Sequence, residues 1–191
     1  IFDMATGQEH NLFKTAFWSG MRTSELCALL WEDIDFVMGT IKVDKGLTMA
    51  ADEAEPPKTI AGERLIKMLP QARKALLAQK EHTFLNGQEV FHDSLHGKPW
   101  VGDQPIRKRW TTILRKAGVR YRRPYQTRHT YASMMLTSGE ELGWFSRQLG
   151  HKNVNVTTSI YAQWIELAGH DGGSLIDAKF GDGGSIPQVG T

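Results

Sequence analysis

Two arginines stand where a cation has a physical cost. Arg22 sits at the start of a short helix that reads from Thr23, and Arg128 opens another that runs to about Ser138. A helix N-terminus disfavours a positive side chain by about 0.3–1 kcal/mol and favours phosphate. An anionic ligand is the best explanation for arginines at such places. The chain has no HExxH or paired Cys/His spacing for a metal, no GxxxxGK[ST] or GxGxxG loop for a nucleotide cofactor, and no GxSxG turn for a nucleophilic serine. No cofactor is therefore called for, and chemistry falls to Arg, Lys, His and Tyr. That set suits metal-free transfer at a phosphodiester. Two guanidinium groups can clamp the charge on the non-bridging oxygens. A tyrosine oxygen can attack phosphorus and keep it as a covalent ester. A lysine can protonate the leaving oxygen, and a histidine can assist the nucleophile or bind a phosphate oxygen.

Composition sets the outer limits. The 191 residues are 40% hydrophobic and 23% charged, enough for one ordinary globular core. No apolar run approaches the roughly 20 residues of a membrane span. Cys27 is the single cysteine, so no internal disulfide forms, and a cytoplasmic location is compatible with that. The chain begins at Ile1 and reads as a fragment of something longer. Its net charge is only +2, yet the stretch from Gln104 to Gly139 holds no Asp or Glu. It carries Arg107, Lys108, Arg109, Arg115, Lys116, Arg120, Arg122, Arg123 and Arg128. A polyanion would use such a single-sign patch, although a solvated helix face has the same composition.

The elements that must hold these residues are mostly helical. Residues 10–19 read as a helix broken at Gly20. The next helix starts near Thr23 as its cap, buries Leu26, Leu29 and Leu30, and ends at the Trp31–Asp35 stretch. Thr40 to Leu47 and Lys58 to Leu69 read as a β-hairpin around an acidic loop. Helices follow over Pro70 to about His82, from an Asp103 cap to Gly118, from Thr127 or Arg128 to Ser138, around Leu142, Phe145 and Leu149, and from Val156 to about Leu167. Val90 and Phe91 suggest a short strand. His82, His92, His96 and His170 read as surface groups, and His129 as a structural cap beside Arg128. Tyr161 taken alone reads as a boundary tyrosine with a wet hydroxyl, next to an apolar stripe of Val156, Ile160 and Trp164. The Gly-rich segment 169–191 is expected to be a flexible tail, or to dock on a neighbouring protomer through Leu175, Ile176 and Phe180.

Four segments, in order, resemble the tyrosine recombinase or phage integrase family. Ser19-Gly20-Met21-Arg22-Thr23-Ser24-Glu25-Leu26 is similar to its first arginine box, with Arg22 at the catalytic position and Glu25 at a supporting acidic one. Tyr125-Gln126-Thr127-Arg128-His129-Thr130-Tyr131 is similar to the second, with Arg128 catalytic. Leu149-Gly150-His151-Lys152 matches the histidine segment, and Thr157 to Tyr161 the nucleophile segment. Pro57-Lys58-Thr59, with Arg64 beyond it, resembles the strand that carries the family's lysine. This makes Lys58 the proton donor, with Lys45 and Lys67 as alternatives. Two departures stand out. The second box usually opens with His or Lys where this chain has Tyr125, which shifts base duty toward His151. The interval from His151 to Tyr161 is ten residues, against a more usual nine.

The resemblance, strongest to prophage-type integrases, implies a mainly α domain over residues 1–168 with a small antiparallel β-sheet. It implies site-specific recombination through a 3′-phosphotyrosine, with double-stranded DNA as partner, a homotetramer on DNA and accessory DNA-bending proteins. Arg107, Lys108, Arg109, Arg120, Arg122 and Arg123 are the candidates to grip the DNA backbone. The alternatives are a type IB topoisomerase-like enzyme, a non-catalytic DNA-binding module, and a protein interaction domain.

Overall fold

A computed structural model describes residues 1–48, 54–56 and 62–167, with side chains as far as residue 162. Seven α-helices and two small antiparallel sheets are arranged among these residues. Helix α1 spans Gly7–Ser19 and α2 Thr23–Cys27. Strands β1 (Ile34–Asp35), β2 (Thr40–Val43) and β3 (Arg64–Lys67) form a sheet in that order. Helix α3 (Pro70–Thr83) leads to a hairpin of β4 (His92–Asp93) and β5 (Lys98–Pro99). Helices α4 (Asp103–Lys116), α5 (Gln126–Thr137), α6 (Leu142–Leu149) and α7 (Val154–Leu167) complete the chain. The expected class, mainly α with a small antiparallel sheet, is what the chain adopts.

Two cores hold these elements. The larger gathers α1, α2, the three-stranded sheet, α3 and α4 around Leu12, Phe13, Ile41, Ile66, Leu76 and Trp110. The smaller joins α5, α6 and α7 around Tyr131, Phe145, Leu149 and Tyr161. Helix α1 lies against both α3 and α5, so it is the wall the two cores share. Gly20 ends it in the left-handed region (φ 65°). A Cβ at Gly20 would come within 2.5 Å of Tyr131 Cδ1. Glycine is therefore required there twice over, once for the backbone angle and once for the approach of α5.

Several local expectations move. Thr23 is the first residue of α2 and not its cap; Arg22 holds the cap position, and the Glu25 carboxylate reaches back to its N–H at 2.7 Å. Asp103 likewise opens α4, after Gly102. Strand β2 stops at Val43, though a single bridge between Gly46 and Glu55 carries the hairpin further. Val90 and Phe91 are buried but precede the strand. The Val90 N–H donates to Leu29 O, which ties this segment to the end of α2. His92 is also buried, not a surface group. Lys58, the tail 169–191 and His170 lie outside the described residues.

Candidate active site

The site is assembled where α2, β3, α5, α6 and α7 meet. Glu25 forms its back wall. One carboxylate oxygen accepts from Arg22 Nη1 at 2.7 Å and from Arg64 Nη1 at 3.0 Å, and the other from Arg64 Nη2 at 2.9 Å. The Arg64 side chain is only 6% exposed and donates through Nε to Gln148 O at 2.7 Å. Burial pushes the Glu25 carboxyl up. The hydrogen bonds and charge of Arg64, joined by Arg22, outweigh that and hold it below the usual range. One carboxylate thus orients two guanidinium groups, and the Arg22 side chain keeps 36% of its surface exposed for another partner.

Arg128 is held differently. It lies in the first turn of α5 and is 1% exposed, with Nη1 donating to Gly20 O at 2.8 Å and Nη2 to Leu149 O. Both acceptors are main-chain carbonyls at the ends of other helices. Its Nε has no hydrogen-bond partner among the described residues. Burial first, and then the charge of Arg22, push Arg128 down to about 10, so it remains a cation at neutral pH. A buried cation without a carboxylate bonded to it is costly, and a bound anion would offset that cost.

His151 follows Gly150, whose left-handed backbone (φ 66°) ends α6. Its Nδ1 meets Thr157 Oγ1 at 2.6 Å, Thr157 donates to Ser146 Oγ at 2.8 Å, and Ser146 donates to Asn153 O at 3.5 Å. The last member is a carbonyl and can only accept, so the hydrogen on His151 belongs on Nδ1. Burial, then Arg128, Arg22 and Arg64, push the ring down to about 4. His151 is neutral at pH 7, and its Nε2 lone pair has no hydrogen-bond partner among the described residues.

Tyr161 turns inward. Its side chain is 1% exposed, while Ile160 of the expected apolar stripe is exposed instead. The hydroxyl sits 3.0 Å from His129 Nδ1 and is not the wet group the sequence suggested. Burial pushes it up to about 12 against the opposing pull of Arg128, so it is protonated at neutral pH. His129 is therefore no mere helix cap. Its ring packs edge-on against Tyr161 on one side and Tyr125 on the other. Burial and then Arg128 lower its affinity for a proton.

Tyr125 and Arg22 open onto a cleft of about 390 Å³, which Arg107, Arg123 and Asp103 also line. The basic segment divides here. Arg107 and Arg123 face the cleft. Arg109 pairs with Asp93 at 3.1 Å and with Glu9 at 3.8 Å, and it lines a second hollow with Lys108. Arg120 and Arg122 are exposed beyond the end of α4. Of the alternatives for the lysine, Lys45 is held by Asp33 at 2.9 Å and Asp44 at 3.2 Å, and Lys67 is exposed on β3. Among the described residues no group of three or more His, Cys, Asp or Glu could hold a metal ion, and no helix is long and apolar enough to cross a membrane.

Sequence reasoning missed two members of this cluster. Arg64 shares the inward face of β3 with the fully buried Ile66, two residues on. Strand alternation therefore signalled a buried arginine in need of an acid. His129 lies one helical turn after Tyr125, which puts both on one face of α5.

The fold is that of DNA-recombining catalytic domains. It superimposes on the Tn1549 transposon integrase, solved in complex with a circular intermediate DNA, with a TM-score of 0.71 at 20% identity, covering 79% of this chain and 53% of that one. It superimposes on the catalytic domain of bacteriophage HP1 integrase with a TM-score of 0.57 at 13% identity, covering 92% and 85%. The model of the phage integrase family matches residues 4–166, and the chain belongs to that family. Prophage integrase IntR of Escherichia coli (strain K12) is 31% identical, covering 94% of this chain and 49% of that protein. A XerC-like tyrosine recombinase of Caldanaerobacter subterraneus is 29% identical, covering 81% and 45%. The chain thus spans about half the length of the curated relatives it matches.

Proposed function

We propose that this chain is the catalytic part of a site-specific recombinase that cleaves and rejoins double-stranded DNA through a 3′-phosphotyrosine, in integration or excision of a phage or mobile element. The observation that carries this reading is the cation pair. Arg22 and Arg128 are close enough for each charge to oppose the other, and the buried Arg128 bonds only neutral carbonyls. Such an arrangement is stabilised by an anion, and a phosphodiester that gains negative charge during attack is the anion for which two guanidiniums are best suited.

In this mechanism Tyr161 Oη attacks phosphorus, and the bond to the 5′-oxygen breaks. Arg22 and Arg128 hold the non-bridging oxygens. The incoming phosphate also offsets the three arginine charges that, after burial, keep His151 neutral. His151 then takes a proton from water at Nε2, keeps it, and hydrogen-bonds a phosphate oxygen through it. Lys58, by its place in the motif order, protonates the leaving oxygen. A 5′-hydroxyl from a partner strand reverses the steps, so neither ATP nor metal enters. Arg107 and Arg123 line the path of the duplex backbone. The working form is a homotetramer on paired sites, assisted by DNA-bending proteins.

The test is covalent trapping on a randomised pool of nicked duplexes, whose cleaved end diffuses away and leaves the adduct stranded. The chain is expected to give an adduct that maps to Tyr161, and Tyr161→Phe to give none. An adduct that persists in Tyr161→Phe overturns the assignment.

A further inference from the structure

We infer that His129 is the base of this site: it accepts the proton of the Tyr161 hydroxyl as that oxygen attacks phosphorus. The inference rests on the proposed function and adds a residue to it. Three observations carry it. His129 Nδ1 already lies 3.0 Å from Tyr161 Oη, within the reach a base requires of the proton it removes. Tyr125 holds the position where the family usually has His or Lys, and a phenol is a poor proton acceptor near neutral pH. One turn further along the same face of α5, the imidazole of His129 packs against the Tyr125 ring, with centroids 5.1 Å apart. An imidazole thus stands one helical turn from the position where Tyr125 offers none. His151, the other candidate, has Nδ1 anchored on Thr157, and in the proposed mechanism its Nε2 serves a phosphate oxygen.

The step balances. The proton passes from Tyr161 Oη to His129 Nδ1, the O–P bond forms, and the P–O5′ bond breaks. The leaving oxygen takes its own proton from the general acid. In rejoining, imidazolium His129 returns its proton to the Tyr161 oxygen as the phosphotyrosine is broken. The charge His129 acquires beside Arg128 coincides with the extra negative charge on phosphorus, which offsets it.

The experiment uses the full chain and a randomised pool of duplexes carrying a bridging 5′-phosphorothiolate. Sulfur leaves without being protonated, so a defect seen with this probe lies on the nucleophile's side. His129→Ala is expected to lower the rate of adduct formation about 100-fold or more, with unchanged DNA binding. Added imidazole is expected to recover a substantial part of that rate. His129→Gln, which keeps a hydrogen-bonding group but cannot take the proton, is expected to be as slow as His129→Ala. If His129→Gln reacts at the wild-type rate, or if His129→Ala is as fast as or faster than wild type, His129 is not the base. A His129→Ala defect that imidazole leaves unchanged also overturns the inference. If the wild-type chain forms no Tyr161 adduct with any member of the pool, the proposed function itself fails.

Discussion

A guanidinium can be fixed by a carboxylate or by carbonyls, and this site uses both. Glu25 points Arg22 and Arg64 and offsets one of their two charges; Gly20 O and Leu149 O hold Arg128 without neutralising it. Burial, and then the charge left over, make the neighbourhood hostile to a further cation, and His151 records both. Its folded value of about 4 lies below the 6.5 of an unperturbed ring. Between those values an unfolded chain binds a proton that the folded chain does not, so stability falls as pH drops from about 6.5 to about 4 and is unaffected above that window. Denaturant titrations of the DNA-free protein are expected to show this slope, and His151→Gln is expected to flatten it. An identical slope in the variant would place the effect on another group. At this scale the sequence was most informative about residues that touch the reacting phosphate in the proposed mechanism, because the motifs mark them. It was least informative about Arg64 and His129, whose roles arise from contacts with residues 39 and 32 positions away.

Helix α1 is the element on which the arrangement turns, because both cores pack on it and its last turn presents Gly20 O to Arg128. Gly20→Ala brings a Cβ into a left-handed backbone position and against the Tyr131 ring. It is expected to destabilise the fold by about 2 kcal/mol or more, read from the urea midpoint. Adduct formation is expected to fall further than the unfolded fraction alone explains, since Arg128 loses its anchor. A loss of activity matching the unfolded fraction would mean that the anchor is dispensable. The stop at Gly20 was legible in the sequence, as were the helices over 70–83 and 142–149, where apolar spacing and end signals agree. Strands of two to four residues are too short for alternation to fix their ends, so β1 and β5 were not foreseen and β4 was misplaced by a residue or two. The facing of α7 was misjudged for a different reason. Its apolar stripe competes with a tyrosine whose hydroxyl finds a buried partner, and tertiary packing decided between them.

Taken whole, the molecule sorts its basic residues by face. Arg107 and Arg123 share the cleft with Arg22 and Tyr125, whereas Arg109 is taken up by Asp93 and Glu9. A run of nine cations in the sequence is therefore not nine contacts. Replacing Arg107 and Arg123 by alanine is expected to weaken binding to a non-specific duplex and to reduce the slope of log affinity against log salt by about 2. Arg109→Ala is expected to leave that slope unchanged. The reverse pattern would put the DNA on the other face. The way Arg128 is anchored has a consequence for how such a molecule ages. Its two acceptors belong to the backbone, and mutation does not alter a carbonyl oxygen. Side chains in the surrounding turns can be exchanged over generations without displacing the cation, provided the helix ends stay where they are. A reactive centre pinned to main chain is insulated from drift, which is one physical condition under which a fold can persist among chains that share only a fifth of their residues.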